Sequence, residues 1–307
     1  MRSRGKDSIE PHAEGVAGAK AIQRMFLLPA VILVLALTIF PLVFSLGITF
    51  TNMRLLASEP VRFIGLSNWA RLFTDNNFHI VLRNTIVFVV CGVTLQYVLG
   101  LGLALLLNMN LRARRFFRIS LLLPMMMSPV AVSYVIGKMI ASESYGPIND
   151  ILFRLGLPIF RWTLDPGKSM LVLIGIDTWQ WTPLFILVLL AGLQSIPPEL
   201  YEAARVDGAS NWRIFFHITF PLLMPFSVTA TMIRSLEAFK VLDIVRVVTG
   251  GGPGNATESV TLFAYDLGIK GGDISYASTV AFALMIVVVL FCTVFLSCVR
   301  RAMPERG

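Results

Sequence analysis

Two groups of side chains could do chemistry inside otherwise apolar stretches of this sequence. The first is Asp177-Thr178-Trp179-Gln180-Trp181-Thr182-Pro183. The second is Arg234, Glu237 and Lys240, with Asp243 after them. An ionisable group at membrane depth is costly, so it faces a cavity or pairs with another. Asp177 and Gln180 are three residues apart, on one face of a helix, with Trp181 beside them. A carboxylate and an amide hydrogen-bond hydroxyls, and an aromatic ring offers a flat apolar surface to a C–H face. That set suits a hydroxyl-rich ring. The second group sits at successive three-residue steps, so helical neighbours of opposite sign can pair. Each group also has a plainer reading. The tryptophans could form an interfacial belt at headgroup level, and the four charges could be a self-neutralising ladder inside a bundle.

Other chemistry is missing. The sequence has no G-x-x-x-x-G-K-[ST] phosphate loop, so it is not expected to bind ATP. It has no H-E-x-x-H and no G-x-S-x-G. His12, His79 and His217 are scattered, so neither a metal centre nor a catalytic triad can be assembled. Cys91, Cys292 and Cys298 all fall in apolar runs without metal or disulfide spacing. No catalytic residue and no resident cofactor is expected.

The elements that must position these groups are apolar. Of the 307 residues, 56% are hydrophobic and 14% charged, against about 25% charged in soluble domains. The expected fold class is an all-α polytopic membrane protein. Six runs reach the roughly 20 residues a span needs: 25–50, 80–108, 117–140 (broken by Pro124 and Pro129), 170–193, 220–241 and 276–299. Residues 25–301 then form one transmembrane domain. Residues 1–24 are a polar N-terminal segment, expected to lack fixed structure to Ala19, and 302–307 a short tail. The gaps on the less basic side read as turn material, such as Tyr145-Gly146-Pro147 and Gly250-Gly251-Gly252-Pro253-Gly254.

Lysine and arginine set the orientation. They are dense in the N-terminal segment (Arg2, Arg4, Lys6, Lys20, Arg24), in the second gap (Arg112, Arg114, Arg115, Arg118) and in the tail. Arg205 and Arg213 lie in the fourth gap. Both termini and the fourth gap are expected to be cytoplasmic. The net charge of +8 reports this bias, and no nucleic-acid partner is inferred from it. Contact of the basic segment with lipid headgroups is a second possibility beside a simple topology signal.

The fourth gap is a polar island, Ser195 to Pro225. Pro197 and Pro198 suit a first helical turn, and Glu199 and Glu202 follow where the helix dipole favours negative charge. Gly208 stops the helix, and Ser210 can cap the next one. Leu200, Ala203, Ala204 and Asp207 share one face.

The run Glu202-Ala203-Ala204, Gly208 four residues on, then Ile218 and Pro221, resembles the EAA loop. That loop marks inner-membrane permeases of binding-protein-dependent ABC importers. Phe220 stands where the family usually has leucine. Asn84-Thr85, Arg118 with Leu123-Pro124, and the Gly250–Pro253 run resemble its carbohydrate branch, of the maltose and glycerol-phosphate permease type. The resemblance covers about Met25 to Arg301. It implies a subunit of the bacterial inner membrane paired with a second permease, an ABC ATPase dimer and an extracytoplasmic solute-binding protein. ATP and magnesium would be held by the ATPases. Glu202, Ala203, Ala204, Asp207 and Gly208 would couple to an ATPase. Asp177, Gln180, Trp181 and Glu237 would line the path of a sugar-like solute. A polyol, a sugar acid or a phosphodiester stays open as the solute. An ion-coupled secondary transporter is the competing class, although no inverted repeat is visible in the sequence.

Overall fold

Lipid offers no hydrogen-bond partner to the backbone, so apolar runs of this length fold as helices. The computed structural model describes residues 13–55, 60–109, 112, 114–141 and 146–302. Among these, five helices are long and apolar enough to cross a membrane. They lie in α1 (Ala13–Ile48, from Met25), α3 (Asn76–Asn108), α7 (Pro166–Ser195), α10 (Phe220–Phe239, continuous with the helix from Asn211) and α13 (Ile274–Ala302, to Arg301). A bent pair raises the number to six if it counts as one span. It joins α4 (Arg114–Met126) to α5 (Pro129–Val132), which runs on as a π-helical stretch, Ser133–Ile140, at an angle of 97°. The break falls between Pro124 and Pro129, where the ring and missing N–H of Pro129 interrupt the helical ladder. Each apolar run of the sequence coincides with one of these helices or with the pair.

The gaps hold more than turns. They contain α2 (Ser67–Thr74), α6 (Pro147–Arg154), α11 (Asp243–Val248) and α12 (Val260–Tyr265). The gaps on the less basic side, expected to be turn material, therefore hold short helices. Ile244, Val245 and Val248 are buried with Val132 and Leu173, and that apolar contact makes a helix of the segment after α10. The glycine run beyond it stays a turn. On the other side of the membrane helices, α8 (Pro198–Val206) and α9 (Asn211–Ile214) lie between α7 and α10. A π-helical stretch, Phe215–Thr219, joins α9 to α10. At the N-terminus the helix begins at Ala13, within the segment expected to lack structure. Residues 1–12, Tyr145 and 303–307 lie outside the described residues.

The centre is α3 packed along α7, with α10 across both. Val89, Val93, Phe185, Leu189 and Leu223 are buried between them. In lipid such packing rests on close fit rather than on expulsion of water. At Gly100 α3 packs directly on α7, and a Cβ there would overlap Phe185 Cβ. Gly100→Ala should therefore cost about 1–3 kcal/mol, read as a lower melting temperature of the detergent-solubilised protein. Gly102→Ala, inside the same helix but meeting open space, should not lower it.

At one end of the bundle, polar bonds tie the start of α3 to the segment before α12. Asn84 donates to the carbonyls of Asn255 and Glu258 at 2.7 and 3.2 Å, and the Thr85 hydroxyl accepts from Val260 N at 3.0 Å. Tyr276 at the start of α13 donates to Asp75 at 2.6 Å, under the Arg71 guanidinium 3.8 Å from its ring. By contrast α1 is almost free of the rest: none of its most apolar window is buried.

Candidate functional site

The three central helices meet at one polar joint. Asp177 on α7 and Arg234 on α10 are 5% and 2% exposed, and Gln96 on α3 is fully buried. Asp177 Oδ2 accepts from Gln96 Nε2 at 2.7 Å and from Arg234 Nη2, and Arg234 Nε donates to Gln96 Oε1 at 2.8 Å. The three side chains close a ring of charge-assisted bonds, which the desolvation of two buried charges demands. Trp181 lies one helical turn beyond Asp177, its ring centroid 5.1 Å from the Arg234 guanidinium carbon.

Beside this joint is a cavity of about 140 Å³. Asp177, Gln180, Trp181 and Glu237, the four residues expected on a solute path, all line it. Gln180 also has a second task. Its Nε2 donates to the carbonyl of Met127 at 3.1 Å, one of the groups at the break between α4 and α5. Pro129, just past that break, lines the same cavity. The bent pair and α7 are thus joined at the cavity wall.

The charge ladder is not continuous. Lys240 pairs with Glu237 at 2.7 Å, both exposed, but Arg234 turns inward to Asp177. Asp243 belongs to the next helix, because α10 ends at Phe239. The cause is burial: a guanidinium removed from water needs partners that are themselves buried, and Glu237 is not. Gln96 is not among the path residues singled out from the sequence, which lie in the fourth and fifth apolar runs. The signal was present, since an amide in the middle of a long apolar run also needs a partner.

Asp165 caps α7, accepting from Gly167 N and Lys168 N at 3.0 and 3.3 Å. The Lys168 ammonium, 3.3 Å away, and these N–H groups hold its carboxyl below the usual value. The other polar region is the turn after α8. Gly208 has φ +75°, a conformation open to glycine. Its N–H donates to Arg205 O at 3.1 Å, and Ala209 N–H donates to Ala204 O at 2.9 Å. The Ser210 hydroxyl accepts from Arg213 N at 3.4 Å. No residue of α8 is buried. Glu202, Ala203 and Asp207 are exposed, Ala204 is half-buried, and the apolar side chains of Leu200, Val206 and Trp212 are 42%, 87% and 74% exposed.

Comparison with known proteins matches residues 96–304 to the family described as binding-protein-dependent transport system inner membrane component. The chain is 35% identical to the trehalose/maltose transport system permease protein MalF of Thermococcus litoralis, over 89% of this chain and 91% of that protein. It is 32% identical to the sulfoquinovosyl glycerol transport system permease protein SmoG of Agrobacterium fabrum, over 92% of each. A solved structure of the bacterial alginate ABC transporter, in complex with alginate pentasaccharide-bound periplasmic protein, shares the fold. The TM-score is 0.81 at 22% identity, over 96% of this chain and 99% of that one.

Proposed function

The chain belongs to the binding-protein-dependent transport system inner membrane components, and from that membership we propose that it is the transmembrane permease subunit of an ATP-driven importer of a sugar or sugar-like solute. The observation that carries the solute class is the 35% identity, over 89% of this chain, to a trehalose/maltose permease. In this reading six spans cross the bacterial inner membrane with both termini in the cytoplasm. A second permease completes the path, two ATPase subunits bind ATP and magnesium, and an extracytoplasmic binding protein delivers the solute.

The mechanism follows from two places in the chain. Helix α8 sits in a cleft of one ATPase, with Glu202, Ala203, Ala204 and Asp207 on the contact and Gly208 setting its angle. Its unburied surface, Leu200 and Val206 included, supports that role, because exposed apolar side chains outside the lipid mark a partner's seat. Closure of the ATPases on ATP moves α8 and rocks the two permeases between inward-facing and outward-facing states. The solute passes the cavity of Asp177, Gln180, Trp181 and Glu237. The bent pair, bonded to Gln180, is placed to change that cavity as the helices shift.

The test is a mild-detergent pulldown of the tagged chain, expressed with its neighbouring genes and read by mass spectrometry. A second permease and an ATPase are expected with it. Recovery of this chain alone, while a control importer stays intact, would instead favour an ion-coupled transporter.

A further inference from the structure

The ionisable groups lining the cavity are Asp177, Arg234, Glu237, Lys240 and Asp243. Their pairing decides what charge the cavity offers. Arg234 is buried and held by Asp177 and Gln96. Lys240 is held by Glu237. Asp243, exposed at the start of α11, has no ion pair among the described residues. Two cations therefore face three carboxylates. An acidic solute is bound most strongly by a free cation, and Lys240 could turn to it only by stranding Glu237.

The free hydrogen-bonding capacity points the same way. Both bonds to Asp177 end on Oδ2, which leaves Oδ1 to accept. Gln180 uses its amide nitrogen on Met127, which leaves its oxygen. Acceptors match a solute that brings O–H donors. We propose that this chain's part of the path selects an uncharged, hydroxyl-bearing solute and rejects acidic ones, with Arg234 and Gln96 as positioning residues that cancel the charge of Asp177 and fix its free oxygen. The proposal deepens the reading of this cavity as part of the solute path and rests on it. It separates this chain from the importer of the acidic polysaccharide alginate, although the two share a fold.

The charge of the cavity can be measured without knowing the solute. A Val241→Cys variant places a thiol in the lining, in a background with Cys91, Cys292 and Cys298 replaced by alanine. The complete importer in proteoliposomes is treated with hydroxyethyl, trimethylammonium-ethyl or sulfonatoethyl methanethiosulfonate. Each rate is divided by that of a free thiol in solution. The anionic reagent is expected to react about tenfold more slowly than the uncharged one, a single net charge acting at short range in a confined cavity. Asp177→Asn should raise the anionic rate about tenfold and Arg234→Gln should lower it further. The double variant should return to the parent ratio, since it removes one charge of each sign. Either single variant can fail to fold, having lost a buried partner. The double variant and Glu237→Gln, at an exposed side chain, keep the test open, and Glu237→Gln should also raise the anionic rate.

An anionic rate equal to or above the uncharged one in the parent overturns the proposal, as does a double variant that keeps either single shift. Trapping with ATP and vanadate should change all three rates together. If it does not, the cavity is off the solute path, and the reading beneath the proposal fails whatever the charge ratio.

Discussion

Arg234→Met should lower the stability of the folded helix bundle by about 3–5 kcal/mol, read as a fall in melting temperature and in the yield of monodisperse protein. The expectation comes from the groups left behind. Asp177 is 5% exposed, and without the guanidinium its carboxylate keeps one bond, from Gln96 Nε2. Gln96 Oε1 loses its donor in the same step. A buried charge stripped of its counter-charge costs far more than the pair contributed when intact. The companion measurement is the double variant Arg234→Met with Asp177→Leu. It removes both charges and fills similar space, so it should recover the part of the loss that comes from the stranded carboxylate, while the buried Gln96 amide, left without either partner, keeps the rest. Equal damage from the single and double variants would show that these side chains act through shape and that the ion pair is incidental.

Gly208→Pro should abolish ATP-driven uptake while the chain still inserts and the ATPases still bind. The backbone at Gly208 has φ +75°, and proline is fixed near −65°. Proline would also remove the N–H that donates to Arg205 O. Nothing lies within 4 Å of a Cβ placed there, so the effect is one of backbone geometry and not of crowding. Gly208→Ala gives the graded control. A left-handed alanine costs roughly 1–2 kcal/mol, which should reduce uptake several-fold and leave it measurable. Uptake, ATPase activity and complex recovery would be followed together in proteoliposomes. Normal uptake by Gly208→Pro would show that the angle of α8 does not matter to coupling.

The apolar runs were plain in the sequence, because a chain in lipid must be apolar over helix lengths and has few other ways to satisfy its backbone. So was the helix, turn and capped helix around Gly208, where each residue type has a local reason to be there. The pairing of Arg234 was not. Spacing along one helix offered Glu237 as its neighbour, and only the meeting of three helices supplied Asp177 and Gln96. The short helices after α10 were hidden for a similar reason. Ile244, Val245 and Val248 become helical against Val132 and Leu173, a contact between distant parts of the chain. Local chemistry could be read from the order of residues, while burial depends on which elements fold on top.

The joint of Gln96, Asp177 and Arg234 also carries a constraint in time. The chain is made from its N-terminus, and Arg234 follows Asp177 by 57 residues. At roughly 5–20 residues per second, about 3–11 s separate the two. For that interval α7 carries a carboxylate whose counter-ion does not yet exist. Gln96 lies 81 residues before Asp177, so it is already made when α7 appears, and its amide can donate to the carboxylate at once. The order of the three residues along the chain therefore makes the glutamine amide available to Asp177 before the arginine exists.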